Sequence, residues 1–217
     1  MKPSLIRAHR GISFRSPIEV KWARTFSALN WTWQYEHDRL INGSLVDFSI
    51  LAATGKILCE VNANLNFPDD TARKMFDKAP RGWDGWHGDS RAIRPPLRYD
   101  LIILAAEIMP VFHIPAVKIQ EHSVYPLHIG WMHEKEEQNP NIWHEIFFCE
   151  TEIGRIGFFP SDGTQQCRIT SLRKYCLFTC PVTTVDVNKI WNEAANDNLD
   201  PTWRAAHPNE ADPLFSE

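Results

Sequence analysis

Ser44-Leu45-Val46-Asp47-Phe48-Ser49-Ile50-Leu51-Ala52-Ala53-Thr54-Gly55-Lys56-Ile57-Leu58-Cys59-Glu60-Val61-Asn62 reads as two strands, Ser44 to about Leu51 and about Lys56 to Asn62. The short link Ala53-Thr54-Gly55 predicts an antiparallel hairpin. In a strand, alternate side chains share a face. Leu45, Asp47 and Ser49 therefore lie on one side of the first strand, and Val46, Phe48 and Ile50 on the other. Leu58, Glu60 and Asn62 share a side of the second strand, with Ile57, Cys59 and Val61 opposite. Matching the aliphatic sides also matches the polar sides. A turn centred between Ala53 and Thr54 sets Asp47 directly across from Glu60, with Cβ atoms roughly 5 Å apart. A bulge at Gly55 would shift that pairing by one residue.

Two carboxylates facing each other across a ladder repel unless something neutralises them. A divalent cation does so, and hard oxygen ligands suit Mg²⁺. Such an ion activates water and stabilises charge on a phosphoryl oxygen. The competing reading is an acid pair on the solvent face of a sheet.

Upstream, a helix is predicted from Pro17 to Leu29. Ser16 stands as N-cap, Pro17 at the first helical position and Glu19 three after the cap, the spacing of a capping box. Ile18, Trp22, Phe26 and Leu29 form its apolar face. Trp31 to His37 alternates and is rich in aromatics, as a strand would be, and Asn42-Gly43 marks a turn. Downstream, a helix is predicted from about Pro68 to Ala79, with Ala72, Met75, Phe76 and Ala79 as its buried stripe. Residues 80–98 read as a long irregular loop. The apolar run from Tyr99 to Ile108 fits a buried helix or a strand equally. Short strands are predicted at Val117–Ile119, His128–Met132, Trp143–Cys149 and Ile156–Phe159, and a last helix at Val185–Asn196. Beyond Asp200, three prolines predict an extended tail.

The chain's 217 residues, 43% of them hydrophobic, suffice for one sizeable core. No run reaches the roughly 20 apolar residues of a membrane span, and the basic N-terminus lacks the apolar stretch of a secretory signal. Five irregularly spaced cysteines suit reduced thiols, so a soluble cytoplasmic protein is expected. Cys176-x-x-x-Cys180 with Cys167 is a poor zinc pattern, and His128, His133 and His144 read as structural. The net charge of −4 argues against a protein that coats nucleic acid over its whole surface. Residues 1–24 nevertheless carry six Lys/Arg against Glu19 alone, while residues 186–217 carry seven acids. A basic face for a phosphate backbone remains compatible with that asymmetry.

Several motifs in order resemble a family. His9-Arg10-Gly11-Ile12-Ser13-Phe14-Arg15-Ser16-Pro17-Ile18-Glu19-Val20-Lys21-Trp22-Ala23 is similar to the "YRG-x-x-F-R-S-x-L-E-A-x-W-A" opening of phage- and prophage-associated PD-(D/E)XK nuclease-like proteins. Leu45-Val46-Asp47-Phe48 resembles their "L-P-D-F", Cys59-Glu60-Val61-Asn62 their "V-E-V-K", and Trp191-Asn192-Glu193-Ala194-Ala195-Asn196 their closing "W-x-x-A-x-N". Residues 80–110 fit poorly. The resemblance implies an α/β fold with a restriction-endonuclease-like core of helix, three-stranded antiparallel meander, helix and further strand. That core would occupy residues 1–120, with C-terminal strands and helix at 121–200 completing the same domain and a tail at 201–217. It also implies that Glu19, Asp47 and Glu60 converge on one site, with Asp47 and Glu60 holding Mg²⁺ or Mn²⁺. For Glu19 the capping box is a competing role.

The departure is Asn62, where the family pattern has a lysine to orient water or stabilise developing charge. Lys74 in the next helix is the first substitute, Lys56 a more distant one. Arg10 and Arg15 flank the expected site. Arg81, Trp83, Trp86, Arg91 and Arg94 put basic and aromatic side chains together on the 80–98 loop, a composition suited to phosphates and base stacking; a loop packed down by its tryptophans is the alternative. Two functions follow from the resemblance. One is a metal-dependent DNA endonuclease of phage or mobile-element type, acting through Glu19, Asp47, Glu60 and either Asn62 or Lys74, with a homodimer as one form able to cut both strands. The other is a catalytically inactive nuclease-fold module that binds DNA or a protein partner, such as a phage inhibitor of host defence.

Overall fold

A computed structural model describes residues 8–40, 43–53, 55–62, 69–78, 100–111, 117–119, 122–124, 127–133, 141–150, 155–161, 167–169 and 184–196. The chain opens on a small hairpin, β1 (Ala8–His9) and β2 (Ile12–Ser13), followed by helix α1 (Pro17–Ala28). An antiparallel meander comes next: β3 (Thr32–Tyr35), β4 (Phe48–Ala52) and β5 (Gly55–Val61). Helix α2 (Asp69–Lys78) leads to the long β6 (Asp100–Pro110), which pairs parallel to β5. Then come β7 (Val117–Ile119), β8 (His122–Val124), β9 (Leu127–His133), β10 (His144–Glu150), β11 (Ile156–Pro160) and α3 (Thr184–Asn196). The main sheet has seven strands in the order β11-β10-β9-β6-β5-β4-β3, while β7 and β8 form a separate ribbon. This is a mixed α/β architecture in which β9, β10 and β11 extend the sheet begun by the meander.

Strand parity explains why helices lie on both faces. Phe48, Ile50, Ile57, Cys59, Ile102 and Leu104 project to one side, where α1 supplies Val20, Trp22, Ala23 and Phe26 and α3 supplies Val187, Ile190 and Trp191. Leu58, Leu101, Ile103 and Trp131 project to the other, under Ala72, Met75 and Phe76 of α2. Each buried aliphatic or aromatic side chain stabilises the fold by about 1.5–3 kcal/mol relative to exposure. Sheet faces covered on both sides also account for the unbroken apolar run of β6, whose periodicity fits helix and strand equally.

Aromatic geometry fixes α1 and α3 on their face. Trp22 and Trp191 meet at 4.6 Å between ring centroids, and the Trp22 indole donates to the Ala105 carbonyl at 2.9 Å. Lys21 Nζ sits 3.9 Å from the Trp191 ring centre, a cation–π contact. Glu107 ties both helices to β6, accepting from Lys21 Nζ at 3.2 Å and from the Trp191 indole at 3.1 Å.

Some boundaries differ from the sequence reading. The strand expected to begin at Ser44 begins at Phe48. Val46 consequently escapes strand alternation and packs with Leu58 and Phe76 rather than with Phe48. The strand expected to reach His37 stops at Tyr35, because Glu36 adopts a positive φ of 47°. The small hairpin β1–β2 and strand β8 had no counterpart in the sequence reading. Residues 80–98, the 201–217 tail and Cys176 and Cys180 lie outside the described residues. Among the described residues no helix is long and apolar enough to cross a membrane.

Candidate functional site

The β4–β5 ladder pairs Phe48 with Cys59, Ser49 with Leu58 and Ile50 with Ile57. The β5 partner that this register would give Asp47 is Glu60, but β4 begins at Phe48 and Asp47 lies at the bend just before it. The parallel ladder puts Ile103 beside Glu60, so the pair sits between apolar side chains at the end of the meander and beneath α2. It is not on a solvent face. Asp47 is only 4% exposed.

Asp47 is held from three directions. Its carbonyl accepts from the Glu36 N–H at 3.0 Å. Its Oδ2 accepts from the Val61 N–H at 2.7 Å, and its Oδ1 accepts from Arg15 Nη2. The same guanidinium places Nε 2.9 Å from Glu36 Oε1. Burial pushes the Asp47 carboxyl above its ordinary pKa, with the nearby charge of Glu19 adding to the rise; the Val61 hydrogen bond and Arg15 oppose it.

Glu60 is 18% exposed in its side chain and lies 3.8 Å from Lys74 Nζ through Oε1. Its Oε2 is buried and has no hydrogen-bond partner, an arrangement that costs free energy unless a cation or proton satisfies it. Burial and the adjacent Asp47 charge push the Glu60 carboxyl up to about 7, against the opposing pull of Lys74 and Arg15. Beside it, the Asn62 amide donates to Thr71 Oγ1 at 3.1 Å. Thr71 and Lys74 are three apart on α2 and face Asn62, just past the end of β5, and Glu60 on β5. Helix and strand spacings thus bring Lys74 to the acid that Asn62 leaves without a strand lysine.

Glu19 belongs to the helix cap. Ser16 Oγ accepts from the Glu19 N–H at 3.3 Å and donates to Glu19 Oε1 at 2.8 Å. Glu19 Oε2 accepts from the Arg15 N–H at 3.0 Å and from the Tyr35 hydroxyl at 2.6 Å. Burial and the bond to Glu19 push the Tyr35 phenol up to about 12. Glu19 thus anchors the backbone of Arg15, while its charge lies near enough to Asp47 to raise that carboxyl. Lys56, the more distant lysine, is engaged elsewhere, donating to Asp38 Oδ1 at 2.9 Å and Oδ2 at 3.1 Å.

The orphaned Glu60 oxygen and the chemistry of these hard oxygen donors suit Mg²⁺ or Mn²⁺, and Asp47 and Glu60 are the residues that would hold such an ion. Among the described residues no group of three or more His, Cys, Asp or Glu side chains is arranged to hold a metal, so the remaining positions would fall to water or substrate oxygens. Of the other expected site residues, Arg10 lies exposed in the β1–β2 turn with φ 51°. Arg15 bridges the acids as described. Arg81, Trp83, Trp86, Arg91 and Arg94 lie outside the described residues. Tyr35, Glu36 and Thr71 had no place in the sequence reading of the site. Their roles come from contacts 9 to 21 residues apart in the chain, which no local spacing announces.

No protein-family model, no curated protein and no solved structure matches this chain.

Proposed function

We propose that the chain is a metal-dependent DNA endonuclease hydrolysing phosphodiester bonds, of phage or mobile-element type. The observation that carries this reading is that Asp47, bonded to the Val61 N–H next to Glu60, raises the Glu60 carboxyl by its charge, with Lys74 Nζ 3.8 Å from Glu60. The order helix, antiparallel meander, helix and parallel strand supports it as the core that the sequence resemblance implies. In this reading Asp47 and Glu60 hold Mg²⁺ or Mn²⁺, which when bound supplies water activation and neutralises charge at the phosphoryl group. Lys74 occupies the functional place that Asn62 vacates, orienting water and balancing developing negative charge. Glu19 and Tyr35 keep the start of α1 in place. Arg10, Arg15 and the arginines and tryptophans between residues 80 and 98 supply the side-chain types that would contact the DNA backbone and bases.

Two specific contacts favour a second reading. The Arg15 guanidinium neutralises Asp47 without a metal, and the Asn62 amide is committed to Thr71. A nuclease-fold module without turnover, binding DNA or a protein partner such as a host defence component, would tolerate both. Incubation of supercoiled plasmid with Mg²⁺ or Mn²⁺ separates the two. The endonuclease reading expects nicked or linear product that disappears with chelator and in Asp47→Ala, and falls at least 100-fold in Lys74→Ala. Absence of both cleavage and divalent-ion binding sinks it and leaves the binding module.

A further inference from the structure

We infer that Arg15 is a built-in counter-cation of the site, whose guanidinium takes the Asp47 oxygen needed by a divalent ion and exchanges with that ion. The inference rests on the metal-site reading of Asp47 and Glu60 and deepens it. Asp47 Oδ2 accepts from the Val61 N–H and Oδ1 from Arg15 Nη2, so the guanidinium stands at the oxygen that the backbone leaves without a donor. Without a metal, this contact offsets the repulsion between two mostly buried carboxylates that would otherwise oppose folding.

Arg15 is built for exchange because its two ends are held differently. Its backbone N–H is fixed to Glu19 Oε2 at 3.0 Å and the Tyr35 hydroxyl at 3.2 Å, and Glu19 in turn is locked by the Ser16 cap. Its side chain is 58% exposed. The backbone is therefore anchored at the site, while the largely exposed side chain, which also bonds Tyr35, reaches Asp47 through its own torsions. Glu36, bonded to Arg15 Nε at 2.9 Å, gives the guanidinium a second acceptor at the rim when Asp47 is taken. A planar fork released there is suited to a phosphate oxygen pair. Cation binding and phosphate recognition would thus be coupled through one side chain, and such coupling is reciprocal.

The test is calorimetric titration of the full chain with Mn²⁺. Arg15→Gln is expected to bind Mn²⁺ about tenfold or more tighter than the unmodified chain, the effect of removing a charge-assisted competitor. The gain should be abolished in Arg15→Gln/Asp47→Asn. Arg155→Gln removes the same charge just before β11, at the far edge of the sheet, and should leave the affinity unchanged. A second readout needs no variant: the ¹⁵Nε resonance of Arg15 should shift on Mg²⁺ addition and saturate at the calorimetric Kd. Equal or weaker Mn²⁺ binding by Arg15→Gln, with binding still lost in Asp47→Asn, overturns the exchange and leaves the metal site standing. A static Arg15 resonance at saturating Mg²⁺ does the same. No Mn²⁺ binding by any of the chains overturns both.

Discussion

Asp47 Oδ2 accepts a 2.7 Å hydrogen bond from the backbone N–H of Val61, so an acid at the bend before β4 completes the ladder at the end of β5. Its carboxylate thereby acts as a strand partner for β5. Removing it leaves a backbone donor unsatisfied, and Asp47→Ala should lose about 1–3 kcal/mol of stability in urea denaturation. Asp47→Asn, which keeps an acceptor, should lose less. Equal losses would mean that the Val61 bond contributes nothing of its own.

Glu60 predicts a pH dependence of stability. Its carboxyl ordinarily titrates near 4.5 and in the fold is pushed up to about 7, first by burial and then by the charge of Asp47. Between those values the folded chain binds more protons at this position than the unfolded chain. Its contribution to stability is therefore full below 4.5 and declines as the pH rises to about 7. Urea midpoints measured across that window should fall with pH in the unmodified protein and fall less in Glu60→Gln. Parallel pH profiles for the two would place the titration elsewhere.

The cap of α1 predicts non-additivity. Ser16, Glu19 and Tyr35 share one carboxylate, so Ser16→Ala should cost about 1 kcal/mol. Ser16→Ala combined with Glu19→Ala should cost less than the sum of the two single changes. A double-mutant cycle by thermal denaturation checks this, and strict additivity would contradict the shared network.

Gly130 supplies another test of the sheet. It has φ +150°, and an added Cβ would collide with the Ile103 carbonyl oxygen of the neighbouring strand β6. Both adjoining ladders shift register near this position, between Leu104 and Met109 and between Ile146 and Phe147. Gly130→Ala should therefore lower stability by about 2 kcal/mol or more, since both backbone strain and β6–β9 pairing are affected. An unchanged Tm would show that the two strands part without cost.

The hairpin was legible because its parity is a local property. Residues 44–62 contain their own register, which the Phe48–Cys59 and Ile50–Ile57 pairs follow, and the bend at Asp47 ends the ladder just short of Glu60. Glu19 was ambiguous in sequence because a capping box and a metal ligand place the same residue type at the same spacing. The hydrogen bonds of Ser16, Arg15 and Tyr35 assign it to the cap. The Arg15 bridge was not legible. It depends on Glu36 leaving strand geometry and on the bend at Asp47, both set by packing between segments remote in the chain. Lys74 lay between: helix and strand spacings allowed its approach to Glu60, but only the docking of α2 through Met75 and Phe76 sets it there.

Crystals grown with Mn²⁺ test the central claim most directly, through an anomalous difference map. The account predicts a peak at the end of β4 and β5 with one oxygen each of Asp47 and Glu60 near the roughly 2.1 Å expected for such a small divalent ion, and Arg15 withdrawn from Asp47. A site with Arg15 still seated on Asp47 and no peak there at saturating Mn²⁺ would contradict it.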